Sequence, residues 1–256
     1  MLTLLPLPAF NDNYIWLLHD AQYAWVVDPG DAIEVQRYLK QTNLRLQGVL
    51  LTHHHGDHTG GVDALRASTG AEVYGPYHEP LPEPVRRVKE GDRISVLGLE
   101  FEVIEVPGHT AGHIAYFSSE CPRNPLLFSG DTLFSAGCGR LFEGTPEQML
   151  ASLDKLARLP PHTQVCCAHE YTLNNLRFAL AVEPINQDIL SYAEHCERLR
   201  VEGIPTLPAR LGTELLVNPF LRTRQHSVRA AVIDRAPGTD GDVGIFAALR
   251  KWKDEF

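Results

Sequence analysis

Thiols are few in this chain, and they are not spaced for a framework. Its 256 residues include five cysteines, Cys121, Cys138, Cys166, Cys167 and Cys196. Their odd number and the lack of any CxxC pair argue against a disulfide scaffold and against a zinc site built from thiolates. Long apolar runs are missing too. The opening Met1-Leu2-Thr3-Leu4-Leu5 carries no basic leader and is cut by Pro6, and no later stretch reaches the roughly 20 apolar residues that cross a bilayer. A soluble protein of the reducing cytoplasm is expected, monomeric and with no membrane partner. Positive charge is in deficit as well: 23 Lys and Arg against 32 Asp and Glu leave a formal net charge of −9. Such a surface has no general attraction for phosphates, so nucleic acid is not an expected partner. The basic residues that do crowd together, Arg250, Lys251 and Lys253, read by spacing alone as cations at a helix C-terminus. With 44% hydrophobic residues, the chain can form one large domain, or one domain with a smaller appendage, without staples.

Histidine is plentiful, and its placement organises everything else. His53-His54-His55-Gly56-Asp57-His58 follows directly on Gly48-Val49-Leu50-Leu51-Thr52, an apolar run that reads as a buried strand. In extended chain, alternate residues share a face, so His53 and His55 point one way and His54 the other. Gly56 is expected to turn the backbone, letting Asp57 and His58 face the same cavity from a second direction. Imidazole and carboxylate suit zinc, iron or manganese.

Along the chain, strands at Tyr14–His19 and Tyr23–Val27 precede a helix over Ala32–Leu39 capped by Asp31. Strand, helix, strand up to His53 is the rhythm of a layered α/β protein. A second helix is expected from Thr59, and a loop over the four prolines between Pro76 and Pro84. Strands over Arg93–Leu97 and Glu100–Val106 lead to Pro107-Gly108-His109, and the strand Leu126–Ser129 delivers Asp131. Thr145, Pro146 and Gln148 form the start of a helix with a capping box, and Met149, Leu150, Leu153, Leu156 and Ala157 form its apolar face. The strand Gln164–Ala168 then delivers His169, with Cys166 and Cys167 as small buried residues. Beyond it, strands give way to helices over Leu173–Val182, Asn186–Glu202 and from Asp242 into the tail. This predicts a first domain over residues 1–170 and a smaller helical domain over 171–256.

Four strand ends therefore supply seven donors: His53, His55, Asp57 and His58, then His109, Asp131 and His169. Ligands gather at the carboxyl ends of strands in open α/β sheets, because the loops there converge on one crevice. Seven donors exceed one open metal site but suit two metals joined by a carboxylate, and Asp131, alone on its strand, is the candidate bridge. Two cations roughly 3.5–4 Å apart can share a water whose pKa falls to about 7. His54 lies on the wrong face for this cluster, His113 is placed to hydrogen-bond around it, and His19, His78, His162, His195 and His226 read as surface histidines.

Thr-His-His-His-Gly-Asp-His with His109, Asp131 and His169 resembles the metallo-β-lactamase superfamily. Further stretches resemble its glyoxalase II (hydroxyacylglutathione hydrolase) family: Asn11-Asp12-Asn13-Tyr14, Ala136-Gly137-Cys138-Gly139-Arg140-Leu141-Phe142-Glu143-Gly144-Thr145, Ala168-His169-Glu170-Tyr171, Asn218-Pro219-Phe220-Leu221-Arg222 and the tail Leu249–Phe256. The resemblance implies an αβ/βα sandwich followed by a helical C-terminal domain. It also implies two divalent metals per chain, zinc first, with iron or manganese as alternatives. His53, His55 and His109 would hold one, Asp57, His58 and His169 the other, with Asp131 between them. Arg140, Phe142, Tyr171, Arg250 and Lys253 fall where the family meets its glutathione-thioester substrate. Phe142 stands where some members carry tyrosine, and Arg140 where some carry lysine. The implied reaction is attack by a metal-bound hydroxide, with Asp57 and Asp131 as the catalytic carboxylates, on S-(2-hydroxyacyl)glutathione such as S-lactoylglutathione. This gives glutathione and a 2-hydroxy acid such as D-lactate, a step of methylglyoxal detoxification. Two rival readings are an iron-dependent thiol or persulfide dioxygenase of the same fold and a non-catalytic metal-binding module. A β-lactamase fits less well, since Asp131 stands where those enzymes commonly place a cysteine.

Overall fold

The computed structural model describes residues 2–256. Strands β1 (Thr3–Ala9), β2 (Asn13–His19) and β3 (Tyr23–Val27) form an antiparallel meander, and helix α1 (Ile33–Thr42) follows. Ala32, not Asp31, is the N-cap residue, and it makes no side-chain cap bond; Asp31 stands one residue before it, its Oδ1 accepting the Ile33 N–H at 3.0 Å. Strand β4 (Arg45–Leu50), helices α2 (Gly56–Thr59) and α3 (Val62–Thr69), and strands β5 (Glu72–Pro76) and β6 (Arg86–Val88) come next. These strands lie parallel to β3 and complete a sheet in the order β1-β2-β3-β4-β5-β6.

Alternation along β2 shows why this sheet is covered on both sides. Tyr14, Trp16 and Leu18 enter the core between the two sheets, whereas Ile15 and Leu17 face outward to pack with Val35 and Leu39 of α1 and Val62 and Leu65 of α3. A strand apolar on both faces is stable only when both are buried.

The second sheet is built from β7 (Arg93–Val96), β8 (Leu99–Glu105), β9 (Ile114–Ser118) and β10 (Leu126–Gly130). A short hairpin, β11 (Leu133–Phe134) and β12 (Gly137–Cys138), leads to helix α4 (Pro146–Ala157) and strand β13 (Gln164–Cys167). The capping box of α4 forms as expected, with Gln148 N–H donating to Thr145 Oγ1 at 3.2 Å and Thr145 N–H to Gln148 Oε1 at 2.9 Å. Helices α5 (Thr172–Val182) and α6 (Gln187–Val201) follow. The chain then adds strand β14 (Ala209–Arg210) and helices α7 (Leu211–Val217), α8 (His226–Arg235) and α9 (Gly241–Glu255). Two layers of sheet with helices outside make the αβ/βα sandwich, and the helices after His169 pack beside it.

Strands do not end at His169 as expected. β14 pairs antiparallel with β13 and closes the second sheet in the order β14-β13-β10-β9-β8-β7. β5 and β6 were hidden by the prolines between them: Pro76 ends one strand and the other is an edge, two places where a missing N–H is tolerated. β9 was hidden because it follows the His109–His113 turn without a spacer. α8 lacks a wide apolar stripe, since only Val228 and Val232 of it are buried. Among the described residues, no helix is long and apolar enough to cross a membrane.

Candidate metal centre

The first donors leave β4 through a carboxylate anchor. Asp28, at the end of β3, accepts the Thr52 N–H at 2.8 Å and the Thr52 hydroxyl at 2.7 Å, which fixes where His53 begins. His53 presents Nδ1 to Thr52 Oγ1 at 3.0 Å, leaving Nε2 for the crevice. Nδ1 of His55 lies 3.1 Å from His53 Nε2 and 3.1 Å from His109 Nε2. Nδ1 of His109 donates to the Arg140 carbonyl at 2.9 Å. Three ring nitrogens thus converge on one point. The spacing is near the edge of a tetrahedron about 3.3 Å long that Zn–N bonds of about 2.0–2.1 Å generate.

Asp57, His58 and His169 form the second group. Gly56 makes no sharp turn before them, contrary to expectation. It starts helix α2, with His55 as the preceding extended residue, and a Cβ at Gly56 would meet nothing. Asp57 Oδ2 lies 3.4 Å from His58 Nε2 and 3.5 Å from His169 Nε2. Asp131 reaches both groups: Oδ1 is 3.5 Å from His58 Nε2 and 3.4 Å from His169 Nε2, while Oδ2 is 3.4 Å from His109 Nε2. Both ring nitrogens of His58 and Oδ1 of Asp131 are buried without a well-formed hydrogen bond. Such orphaned atoms are costly unless something else satisfies them. Nδ1 of His58 faces Asp28 Oδ2 at 3.1 Å, while its Nε2 and Asp131 Oδ1 face each other beside Asp57 and His169, and that meeting of borderline-to-hard ligands is what a divalent cation requires.

Electrostatics supports the same division. Burial pushes His53, His55 and His109 below the ordinary imidazole range, which keeps them in the neutral form a metal needs. At the second group burial also opposes charge, yet Asp131, Asp28 and Asp57 raise His58 well above its usual value. Asp57 is held below the carboxylate range by His58, with a further contribution from Asn13. Carboxylates therefore create a strong attraction for positive charge at this spot.

Several supporting residues carry no role in the sequence reading. Asp12 Oδ1 accepts from His169 Nδ1 at 2.8 Å, and Asn13 Nδ2 donates to Asp57 Oδ2 at 3.0 Å. Both belong to Asn11-Asp12-Asn13-Tyr14, a stretch that carries part of the family resemblance but assigns neither residue a role. Asp28 is given no role by the sequence, although an aspartate at a strand end is the same signal that singles out Asp131. His113 takes its expected place beside the site: Nε2 accepts the Asp131 N–H at 3.1 Å and the ring stacks on His53 at 4.6 Å. Gly130 is required by this closeness. Its φ is +49°, and a Cβ there would lie 2.4 Å from Thr52 Oγ1 and 2.7 Å from His113 Cε1.

Above the donors opens a cavity of about 540 Å³. His55, Asp57, His109, Asp131 and His169 face it, and its walls include all five residues expected to meet substrate: Arg140, Phe142, Tyr171, Arg250 and Lys253. Tyr171 stacks on His169, with ring centroids 4.7 Å apart and 9° between planes. Phe142 is 63% exposed and sets its edge against His55 and His109. One expectation needs correction. Arg250 is not an exposed helix-end cation. It is 5% exposed, donates to the Cys138 carbonyl at 2.9 Å and to Asp254 Oδ1 at 3.0 Å, and lies over the Phe220 ring. Lys253 Nζ, by contrast, donates only to the Asn174 carbonyl, at 3.3 Å, among the described residues.

Two facing mixed sheets whose strand ends gather histidines and aspartates around a double cation site define a metallo-β-lactamase-fold protein, and the family model of the metallo-beta-lactamase superfamily matches residues 9–169. Residues 170–256 match the model described as hydroxyacylglutathione hydrolase C-terminus. A hydroxyacylglutathione hydrolase from Albidiferax ferrireducens is 60% identical, with 99% of each chain covered, and one from Pseudomonas putida is 54% identical over 100% of both. The chain belongs to the hydroxyacylglutathione hydrolase family. Among solved structures, TTHA1623 in a di-iron-bound form is 30% identical with a TM-score of 0.56, covering 65% of this chain and 91% of that one.

Proposed function

We propose that this protein hydrolyses the thioester of S-(2-hydroxyacyl)glutathione, such as S-lactoylglutathione, to glutathione and the 2-hydroxy acid. The observation that carries the reading is the cavity, whose floor is the double donor cluster and whose wall offers Arg140, Tyr171 and Lys253 to a peptide tail. In this reading His53, His55 and His109 would hold one divalent cation and Asp57, His58 and His169 the other, with Asp131 between the two groups. The relative solved with two irons supports a pair of metals; zinc is our first choice from the ligand set. Bound there, the cations supply Lewis acidity, lowering the pKa of a water toward about 7 and polarising the thioester carbonyl.

The chain's own groups do the rest. Asp57, ionised and braced by Asn13, keeps 43% of its side chain open and orients the attacking water by accepting one of its hydrogen bonds. Phe142 and Tyr171 shield the reacting carbonyl from bulk solvent. Arg140 and Lys253 bind the glutathione carboxylates. When the C–S bond breaks, the electron pair leaves on a thiolate whose conjugate acid has a pKa of about 8.5, so no strong general acid is needed. We take residues 1–170 as the catalytic domain and 171–256 as the helical domain that walls the cavity, in a monomeric cytoplasmic enzyme. A single-iron dioxygenase would leave the second donor group without a use. The test is metal analysis of the purified protein beside turnover of S-lactoylglutathione and of a simple acyl thioester. Two metals per chain with preference for the glutathione thioester are expected. A metal-loaded protein that hydrolyses neither sinks the reading.

A further inference from the structure

One buried carboxylate outside the donor set joins the two loops that carry the first group of histidines. Glu79, in the proline-rich loop between β5 and β6, is 4% exposed. Its Oε1 accepts the Thr110 hydroxyl at 2.7 Å and the Gly112 N–H at 2.9 Å, and its Oε2 pairs with Nδ1 of His54. On the far side of the same imidazole, Nε2 of His54 faces Glu143 Oε1 at 3.5 Å, and Glu143 Oε2 accepts the Ala111 N–H at 2.8 Å. Both carboxylates therefore grip the 107–113 loop, and both meet at His54. Arg87 Nη1 holds the Glu79 carbonyl at 2.5 Å, which ties the strut into β6.

We propose that His54, clamped between Glu79 and Glu143, is a positioning residue that sets His109 against His53 and His55. This rests on the two-cation reading above. His53 and His55 come from one loop and His109 from the other, so their convergence within 3.1 Å of His55 Nδ1 depends on how the loops are registered. The 53–58 loop has its own anchor in Asp28, so removing His54 leaves the tip of the 107–113 loop held to Glu79 and Glu143 but no longer registered through them to the 53–58 loop. The second donor group draws nothing from that loop. Asp57 and His58 sit on α2, while His169 follows β13 and is braced by Asp12.

His54, Glu79 and Glu143 also lie close enough together to suggest a third cation site, but their atoms are already engaged. Glu79 Oε1 accepts two protons from the 107–113 loop, and the two carboxylates approach opposite nitrogens of one ring, which a single ion cannot span. The residues brace the site rather than add to it.

The test is cobalt(II) titration of the metal-free protein, followed by its ligand-field absorption, with kcat and KM measured on the loaded enzyme. Parent protein binds two cobalt ions. In His54→Ala, affinity at the first group should fall about 10- to 100-fold, the usual effect of losing a group that orients metal ligands, while the second site changes less than about twofold. The loss should appear in kcat, not KM. His54→Gln, which can still donate to Glu79, should recover part of the affinity. Glu143→Ala cuts the strut at its exposed end without burying a new group and should act in the same direction. Equal weakening of both sites, or unchanged affinity at both in His54→Ala, overturns the proposal, as does a third cobalt ion lost with His54. A parent that binds fewer than two ions would instead defeat the two-cation reading itself.

Discussion

Nδ1 of His169 donates to Oδ1 of Asp12 at 2.8 Å across a sequence separation of 157 residues. A carboxylate can only accept, so this contact assigns the proton to Nδ1 and turns Nε2 toward Asp57 and Asp131. The bond joins the first turn of the chain to the end of β13, and the adjoining bridge between Asn13 and His169 keeps the two backbones in step. Asp12→Ala should weaken metal binding at the second donor group and activity by about 10- to 100-fold, without unfolding the protein. Chelator competition monitored per site checks it; an unchanged second site would remove Asp12 from the machinery.

Asp131 has a less replaceable position, because its two oxygens face different donor groups. Asp131→Ala should lower hydrolysis by well over about 100-fold and leave the chain with fewer than two metals. Near-normal turnover with both metals retained would refute the bridge.

Away from the metal centre, Glu214 of α7 is buried beneath the β11–β12 hairpin, whose ends line the substrate cavity. It accepts from the Ser135 hydroxyl at 3.0 Å, the Ala136 N–H at 2.7 Å and Asn218 Nδ2 at 3.1 Å. Burial outweighs these three donors and raises its carboxyl to about 7. Because the folded form holds this proton more tightly than the unfolded chain, its contribution to stability is full below about pH 4.5 and is lost as pH rises through 7. Relative to Glu214→Gln, the parent should lose at most about 3 kcal/mol over that window. Urea unfolding of both proteins at pH 5, 6, 7 and 8 measures it; parallel curves would exclude Glu214 as the source.

How much of this was legible follows the physics of each signal. The seven donors could be read because a histidine or aspartate directly after an apolar strand is a local pattern, and α4 because its cap is spelled out in Thr145, Pro146 and Gln148. Asp12, Asp28 and Glu79 act across the fold, through partners 24 or more residues away. A turn aspartate that braces a metal ligand and one that merely caps a turn have the same local sequence. The burial of Arg250 was illegible for the same reason. Its spacing from Lys253 places both on one stretch of α9, but only packing against Phe220 and Cys138 decides that Arg250 is the buried one of the two that line the cavity.

That difference gives Lys253 and Arg250 separate expected phenotypes. Arg250→Ala removes a buried guanidinium bonded to the Cys138 carbonyl and Asp254, so it should reduce stability as well as binding. Lys253 can be tested on function alone. Burial, with Arg250 and Arg140 nearby, lowers its ammonium to about 8, so in the free enzyme it loses its charge as pH passes that value. If it binds a glutathione carboxylate far from the reacting carbonyl, the contact is made equally in ground and transition states, and its loss raises KM while kcat holds. KM of the parent should therefore climb between pH 7 and 9.5. Lys253→Ala should begin with a KM about 10- to 100-fold higher, the worth of one charge-assisted hydrogen bond, and show no such climb. Lys253→Arg should hold a low KM through the whole range, because guanidinium stays charged. Added salt should raise KM of the parent more than of Lys253→Ala, since the attraction it screens is the one removed. A parent KM that is flat to pH 9.5, or a Lys253→Ala enzyme that loses kcat with its KM intact, would return the tail cation to an ordinary helix-end charge.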